Sequence, residues 1–213
     1  ISGSQSVCSG DAVSSLGGSV SGGQTGSETY LWEQSPNGST GWIPASANPN
    51  NQASYTPAAE VVSSDKITYY RRTVSSGNCT SISNTVAVTI TAPPVAQILQ
   101  GSATYFCSPS KATLTAQDGT GYTFAWYRKV VGGTDVLVSS VRSFDTDIEG
   151  DYYVKVTDSK NCIATSASIS VKPTVVGNNI IAGTQTICYD TTPNKLDGST
   201  ATPGASGETV SYQ

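Results

Sequence analysis

The chain repeats itself, and this restricts its fold more than any other feature. Ile1-Ser2-Gly3-Ser4-Gln5-Ser6-Val7-Cys8 returns as Ile181-Ala182-Gly183-Thr184-Gln185-Thr186-Ile187-Cys188, an offset of 180 residues. The same offset carries Leu16 to Leu196, Gly18 to Gly198 and Ser19 to Ser199. Tyr30-Leu31-Trp32 then faces Tyr212-Gln213 after a two-residue insertion, so Trp is the expected next residue of the parent sequence. A second similarity lies inside that period. Tyr69-Tyr70, Asn78-Cys79, Ser83, Val86 and Val88 match Tyr152-Tyr153, Asn161-Cys162, Ser166, Ile169 and Val171 at a constant offset of 83. Trp32 corresponds to Trp126, and Cys8 to Cys107, with looser spacing. Recurrence on this scale means similar supersecondary units in series.

The units expected are residues 1–92, 93–175 and 176–213, the last being the first part of a third repeat. Ala92-Pro93-Pro94 and Pro173-Thr174 mark the joints, because Pro cannot donate to a strand ladder and stiffens a short linker. Within each unit, alternation of apolar and polar residues predicts strands: Tyr30–Gln34, Thr85–Ile90, Thr113–Ala116, Phe124–Arg128, Tyr152–Val156 and Ser168–Val171. Turn clusters such as Pro36-Asn37-Gly38, Ser76-Gly77-Asn78 and Gly132-Gly133 separate them. No segment reads as a helix of useful length. About seven short strands around a mid-unit Trp predict an all-β chain of tandem immunoglobulin-like β-sandwiches. Gly150-Asp151-Tyr152-Tyr153-Val154 fits the tyrosine corner of that fold, with Val154 where the usual inter-sheet cysteine would stand. Trp32 and Trp126 are the expected core tryptophans.

Composition removes several function classes. The 213 residues contain no His, so neither Ser-His-Asp or Cys-His catalysis nor a His-ligated metal can be built. A net charge of −4 with 11 scattered basic residues argues against nucleic acid as a partner. No apolar run approaches the roughly 20 residues that span a bilayer, so no membrane insertion by this segment is expected. The sequence reads as a non-enzyme.

The five cysteines lack CxxC spacing, which leaves disulfides as the reading and an oxidising, extracellular or cell-surface location as its consequence. A staple from the first strand of each unit to its last hairpin predicts Cys8–Cys79 and Cys107–Cys162, closing loops of 71 and 55 residues. Chain entropy makes each worth roughly 4 kcal/mol. Cys188 would then be left unpaired by truncation, its partner expected roughly 70 residues further on.

Other constellations each carry two readings. Asp145, Asp147, Glu149 and Asp151 alternate, so an extended segment puts all four carboxylates on one side. That is a Ca²⁺ site or, more plainly, the solvated face of a strand; no other cofactor is suggested. Trp42, Tyr55, Tyr122 and Tyr127 can stack on sugar rings, with Trp42 alternatively packing on a sheet edge. Paired carboxylates are also the machinery of glycoside hydrolysis, but a small sandwich offers no obvious cleft. Asn37-Gly38-Ser39 and Asn78-Cys79-Thr80 fit the N-glycan pattern. Asp190-Thr191-Thr192 is similar to an O-glycan acceptor of secreted Bacteroidetes proteins, and Lys111 or Lys172 are isopeptide candidates without an assignable partner.

The string I-x-G-x-Q-x-[VI]-C, then L-x-G-S, Y-x-W, and Thr68-Tyr69-Tyr70-Arg71-Arg72-Thr73-Val74-Ser75-Ser76-Gly77-Asn78-Cys79 onward resembles the repeats of giant Bacteroidetes cell-surface adhesins. These are substrates of type IX secretion, and the SprB-type gliding-motility adhesins belong among them. The resemblance covers residues 1–92, part of 177–213, and 93–175 as a variant. It implies a structural and adhesive filament segment for surface attachment and gliding. Its partners would be neighbouring repeats of the same chain and a surface polysaccharide or other substratum. The alternative is a carbohydrate-binding or accessory module of a secreted polysaccharide-processing protein.

Overall fold

The computed structural model describes residues 1–20, 27–47, 49–107, 109–174, 177, 180–201 and 211. Tyr212 and Gln213, which align the third repeat above, lie outside them. The chain divides into two compact units. The first comprises Ile1–Val95, Gly119–Tyr122 and Thr157–Ala164; the second takes the remainder from Ala96. Every regular element among the described residues is a strand.

In the first unit one sheet is built from β1 (Gln5–Cys8), β2 (Thr29–Ser35), β3 (Ile43–Pro44), β4 (Lys66–Ser76), β5 (Cys79–Ile82) and β6 (Val86–Thr91), ordered β1-β6-β4-β2-β3. β4 is long enough to pair β6 along its first half and β5 along its second. β1 runs parallel to β6, with Gln5 opposite Val88 and Cys8 opposite Thr91. The period of two puts Val86, Val88 and Ile90 inside. Val86 and Val88 share one core cluster with Trp32, which is fully buried and stacks on Tyr55 at 5.7 Å. Leu16 and Tyr55 form an isolated bridge, so less regular backbone supplies the facing layer.

After β6 come β7 (Tyr105–Phe106), β8 (Ala112–Thr115), β9 (Thr123–Arg128), β10 (Val136–Ser139), β11 (Ser143–Thr146), β12 (Gly150–Thr157), β13 (Ile163–Thr165) and β14 (Ile169–Pro173). All lie in the second unit except the last residue of β12 and the first two of β13, which fall in the first unit's segment Thr157–Ala164. One sheet runs β10-β9-β12-β14-β7 with β13 on β12, and β11-β8 form a second sheet. Trp126, Leu114, Val154, Val156 and Val171 are fully buried, and Phe144 packs between Trp126 and Tyr152. β7 runs parallel to β14, as β1 does to β6. The expected tyrosine corner is present: Tyr152 Oη donates to the Ile148 carbonyl at 2.7 Å and lies 3.0 Å from Thr146 Oγ1.

The offset of 180 recurs as local structure. Gly3 and Gly183 have φ of 114° and 117°, and a Cβ on either would press on Leu16 or Leu196. Gln5 accepts from Ser14 N and donates to Ser14 O; Gln185 does the same with Asn194. Ser2 pairs with Gly17, and Ala182 with Asp197 where β15 (Ile181–Ala182) meets β16 (Asp197–Gly198). The offset of 83 needs one refinement. The inward tyrosines are Tyr70 and Tyr152, 82 apart, because the hairpin after β4 turns on Gly77-Asn78 whereas that after β12 turns on Ser159-Lys160-Asn161.

Candidate functional site

The structure joins Cys8 to Cys162, with Cα atoms 5.5 Å apart, and leaves Cys79, Cys107 and Cys188 as exposed thiols. The pairings Cys8–Cys79 and Cys107–Cys162 are therefore corrected, and the strand directions give the reason. Cys8 lies opposite Thr91, beside the start of β4, whereas Cys79 lies opposite Ser76 at its end. About ten residues of strand, roughly 30 Å, separate these positions, and a disulfide tolerates Cα separations up to about 7 Å. In the second repeat Cys107 follows β7, whose last residue Phe106 pairs with Pro173, level with the start of β12, while Cys162 follows the end of β12. A first strand parallel to the last strand always carries its final residue away from the hairpin.

Loop Thr157–Ala164, which holds Cys162, is part of the first compact unit. It is fixed there by a second contact, Lys160 Nζ to Asp65 Oδ2 at 2.6 Å. Asp65 also accepts from Ala92 N at 2.9 Å. The Lys160 hydrogen bond, helped by that from Ala92, holds the Asp65 carboxyl below the ordinary carboxylate range. Asp158 Oδ1 accepts from Lys160 N and Cys162 N, both at 2.9 Å, which shapes the turn.

The four alternating carboxylates do not converge. Asp145 lies on β11 and accepts from Thr113 Oγ1 at 2.7 Å; Asp147 faces Lys111 at 3.9 Å; Asp151 lies on β12 and accepts from Ser170 Oγ. Residues 147–149 break the strand between them, so Asp145, Asp147, Glu149 and Asp151 never share one extended face. Among the described residues no group of three acidic or cysteine side chains is placed to hold a metal.

Trp42 precedes the edge strand β3 and is half-buried. The Arg71 guanidinium lies 4.3 Å over its ring, and Arg71 Nε is bonded to Glu33 Oε2 at 2.8 Å. One ring face is thus occupied by a cation. Tyr55 is core, and Tyr127 stacks on Tyr153 at 5.4 Å. Tyr122 Oη accepts from Val95 N. Asn37 is committed to its own turn, accepting from Ser39 N and Thr40 N at 2.9 Å.

Arg72 is the side chain that the sequence reading missed. It is 2% exposed, inside the first sandwich, 5.7 Å from the Trp32 ring. Its guanidinium donates to the carbonyls of Gly18, Ala53 and Ser19. It stands two residues after the inward Tyr70, the place that Val154 holds after Tyr152. A pocket of about 790 Å³ opens beside it, lined also by Ile1, Val74, Cys79 and Ser83. Strict alternation through Tyr70, Arg72 and Val74 was the signal; the charge of arginine disguised it.

Residues 93–176 match the family described as Ig-like domain, CHU_C associated. The fold is immunoglobulin-like. Residues 1–92 match a domain of unknown function, DUF8696. A marsupial T cell receptor is similar over 86% of this chain and 77% of its own, at a TM-score of 0.51 and 11% identity. The FN1-FN3 domains of chicken CNTN1 align over 68% and 53%, with TM-score 0.35 and 14% identity. Three N-terminal domains of the bacteriophage RB49 highly immunogenic outer capsid protein align over 84% and 60%, with TM-score 0.37 and 20% identity. The T cell receptor likeness speaks for the fold alone. No curated protein matches the sequence.

Proposed function

We propose that the immunoglobulin-like units are a structural and adhesive segment of a large bacterial cell-surface filament, serving surface attachment and, in that setting, gliding. The observation that carries this reading is recurrence. The glycine, the glutamine clamp and the cysteine turn at Gly3, Gln5 and Cys8 are rebuilt at Gly183, Gln185 and Cys188. A chain that rebuilds one motif in series gains length rather than a cleft. The Ig-like match over residues 93–176 and a disulfide, which belongs to oxidising compartments, support an extracellular place of work. Among the described residues no helix is long and apolar enough to cross a membrane.

Scattering from concatemers of one, two and three copies tests the stalk. Maximum dimension should rise in proportion to copy number. A compact particle that grows as the cube root would refute it. A glycan array tests the alternative, a carbohydrate-binding module: binding lost on Trp42→Ala would replace the stalk reading.

A further inference from the structure

The five cysteines fall into two structural kinds. Cys8, Cys107 and Cys188 each open the same turn, the cysteine carbonyl accepting the amide three residues on: Asp11 N at 3.0 Å, Ser110 N at 2.7 Å and Thr191 N at 3.3 Å. Cys8 and Cys107 also share their place beside the end of a first strand that runs parallel to the last. Cys79 and Cys162 are the second kind, each closing the hairpin after the long central strand, opposite Ser76 and Asp158. The one disulfide among the described residues joins a turn cysteine, Cys8, to a hairpin cysteine, Cys162, of the next repeat in sequence. Within a repeat the two kinds sit at opposite ends of the sheet, which forbids bonding there.

We propose that Cys79 and Cys107 are open rungs of a disulfide ladder. Cys107 bonds the hairpin cysteine of the following immunoglobulin-like unit, and Cys79 bonds the turn cysteine of the preceding one. Both are exposed thiols, as a rung awaiting its partner must be. The proposal rests on the repeat, not on adhesion, and holds whether or not the chain contacts a surface. The oxidant is a disulfide of the thiol-exchange class. The thiolate of one cysteine attacks it and forms a mixed disulfide, expelling one thiolate. The partner cysteine then attacks the protein sulfur and expels the second. Two protein thiols and one oxidant disulfide give one protein disulfide and two small thiols.

The test is a concatemer in which residues 1–180 precede a second, full chain, preserving the 180-residue register. It is oxidised with glutathione disulfide, alkylated without reduction and mapped by mass spectrometry. The expected result is Cys8–Cys162 in each copy plus Cys107 of the first copy bonded to Cys79 of the second. Three cysteines are then alkylated instead of five. Cys79→Ser in the second copy should return Cys107 of the first to the alkylated set while both Cys8–Cys162 bonds persist. Five alkylated cysteines with Cys8–Cys162 intact would overturn the proposal. So would Cys8–Cys79 and Cys107–Cys162 bonds, or Cys107 taking any other cysteine in the variant.

Discussion

Cys8 and Cys162 stand 154 residues apart in sequence and 5.5 Å apart in space. Closing a loop that long removes about 5 kcal/mol of unfolded-chain entropy in the loop-closure account. Cys162→Ser should therefore lower the stability of the first unit by about 3–5 kcal/mol, read as an earlier urea transition. Reductant should move the wild-type transition to the same place. The double variant Cys79→Ser/Cys107→Ser, which removes only exposed thiols, should leave it unmoved. An equal shift in the double variant would mean that the stabilising bond is a different one.

Arg72 is a structural cation. Its side chain fills the volume beside Trp32, and its guanidinium satisfies backbone carbonyls from Gly18, Ser19 and Ala53. Arg72→Ala opens a cavity and strands those carbonyls, at a cost of about 3 kcal/mol. Arg72→Lys keeps the charge but loses the planar fork, and should recover less than half of the loss. Urea unfolding followed by tryptophan fluorescence reads both. Arg72→Ala within about 0.5 kcal/mol of wild type would show that the guanidinium does not order this core.

Tyr152→Phe removes the corner hydrogen bond to the Ile148 carbonyl and the contact with Thr146 Oγ1. The ring stays packed against Phe144, so the cost is that of polar groups left unpaired, about 1–2 kcal/mol. Thr146 Oγ1 also accepts from Ile148 N at 3.2 Å, so the backbone at 146–148 should loosen with it. Faster amide exchange at Ile148 in the variant, against unchanged exchange at Leu114, is the expected pattern. Uniformly faster exchange would place the effect in global stability rather than in the corner.

Patterns with a fixed period were legible in the sequence. Alternation locates Val86–Val88–Ile90 and Tyr152–Val154–Val156, mid-unit position marks Trp32 and Trp126 as core, and the corner follows from Gly150-x-Tyr152. What depended on strand direction was not legible. Cysteine spacing names the strands but not the pole at which each strand ends, and the parallel pairing of β1 with β6 excludes Cys79 as the partner of Cys8. Alternation also misled where the backbone stops being extended: the break at 147–149 scatters four carboxylates that a continuous strand would have aligned. Arg72 was hidden by the rule that charge lies outside. Carbonyls that overturn the rule come from residues 18, 19 and 53, distant in sequence.

Asp65 and Lys160 make an exposed pair whose electrostatics are visible in titration rather than in a large energy. The Asp65 carboxyl is held below its ordinary value of 3.8, first by the Lys160 hydrogen bond and then by Ala92 N. A depressed folded value means that this contribution to stability is present above the unfolded value and disappears as pH falls through the folded one. Its window is therefore acidic, below about pH 4. NMR titration of the Asp65 carboxyl should find its midpoint under 3.8, and Lys160→Ala should raise it toward that value without restoring it fully, because Ala92 N still donates. Added salt should act in the same direction as Lys160→Ala. A midpoint indifferent to the substitution would mean that Lys160 does not rest on Asp65 in solution.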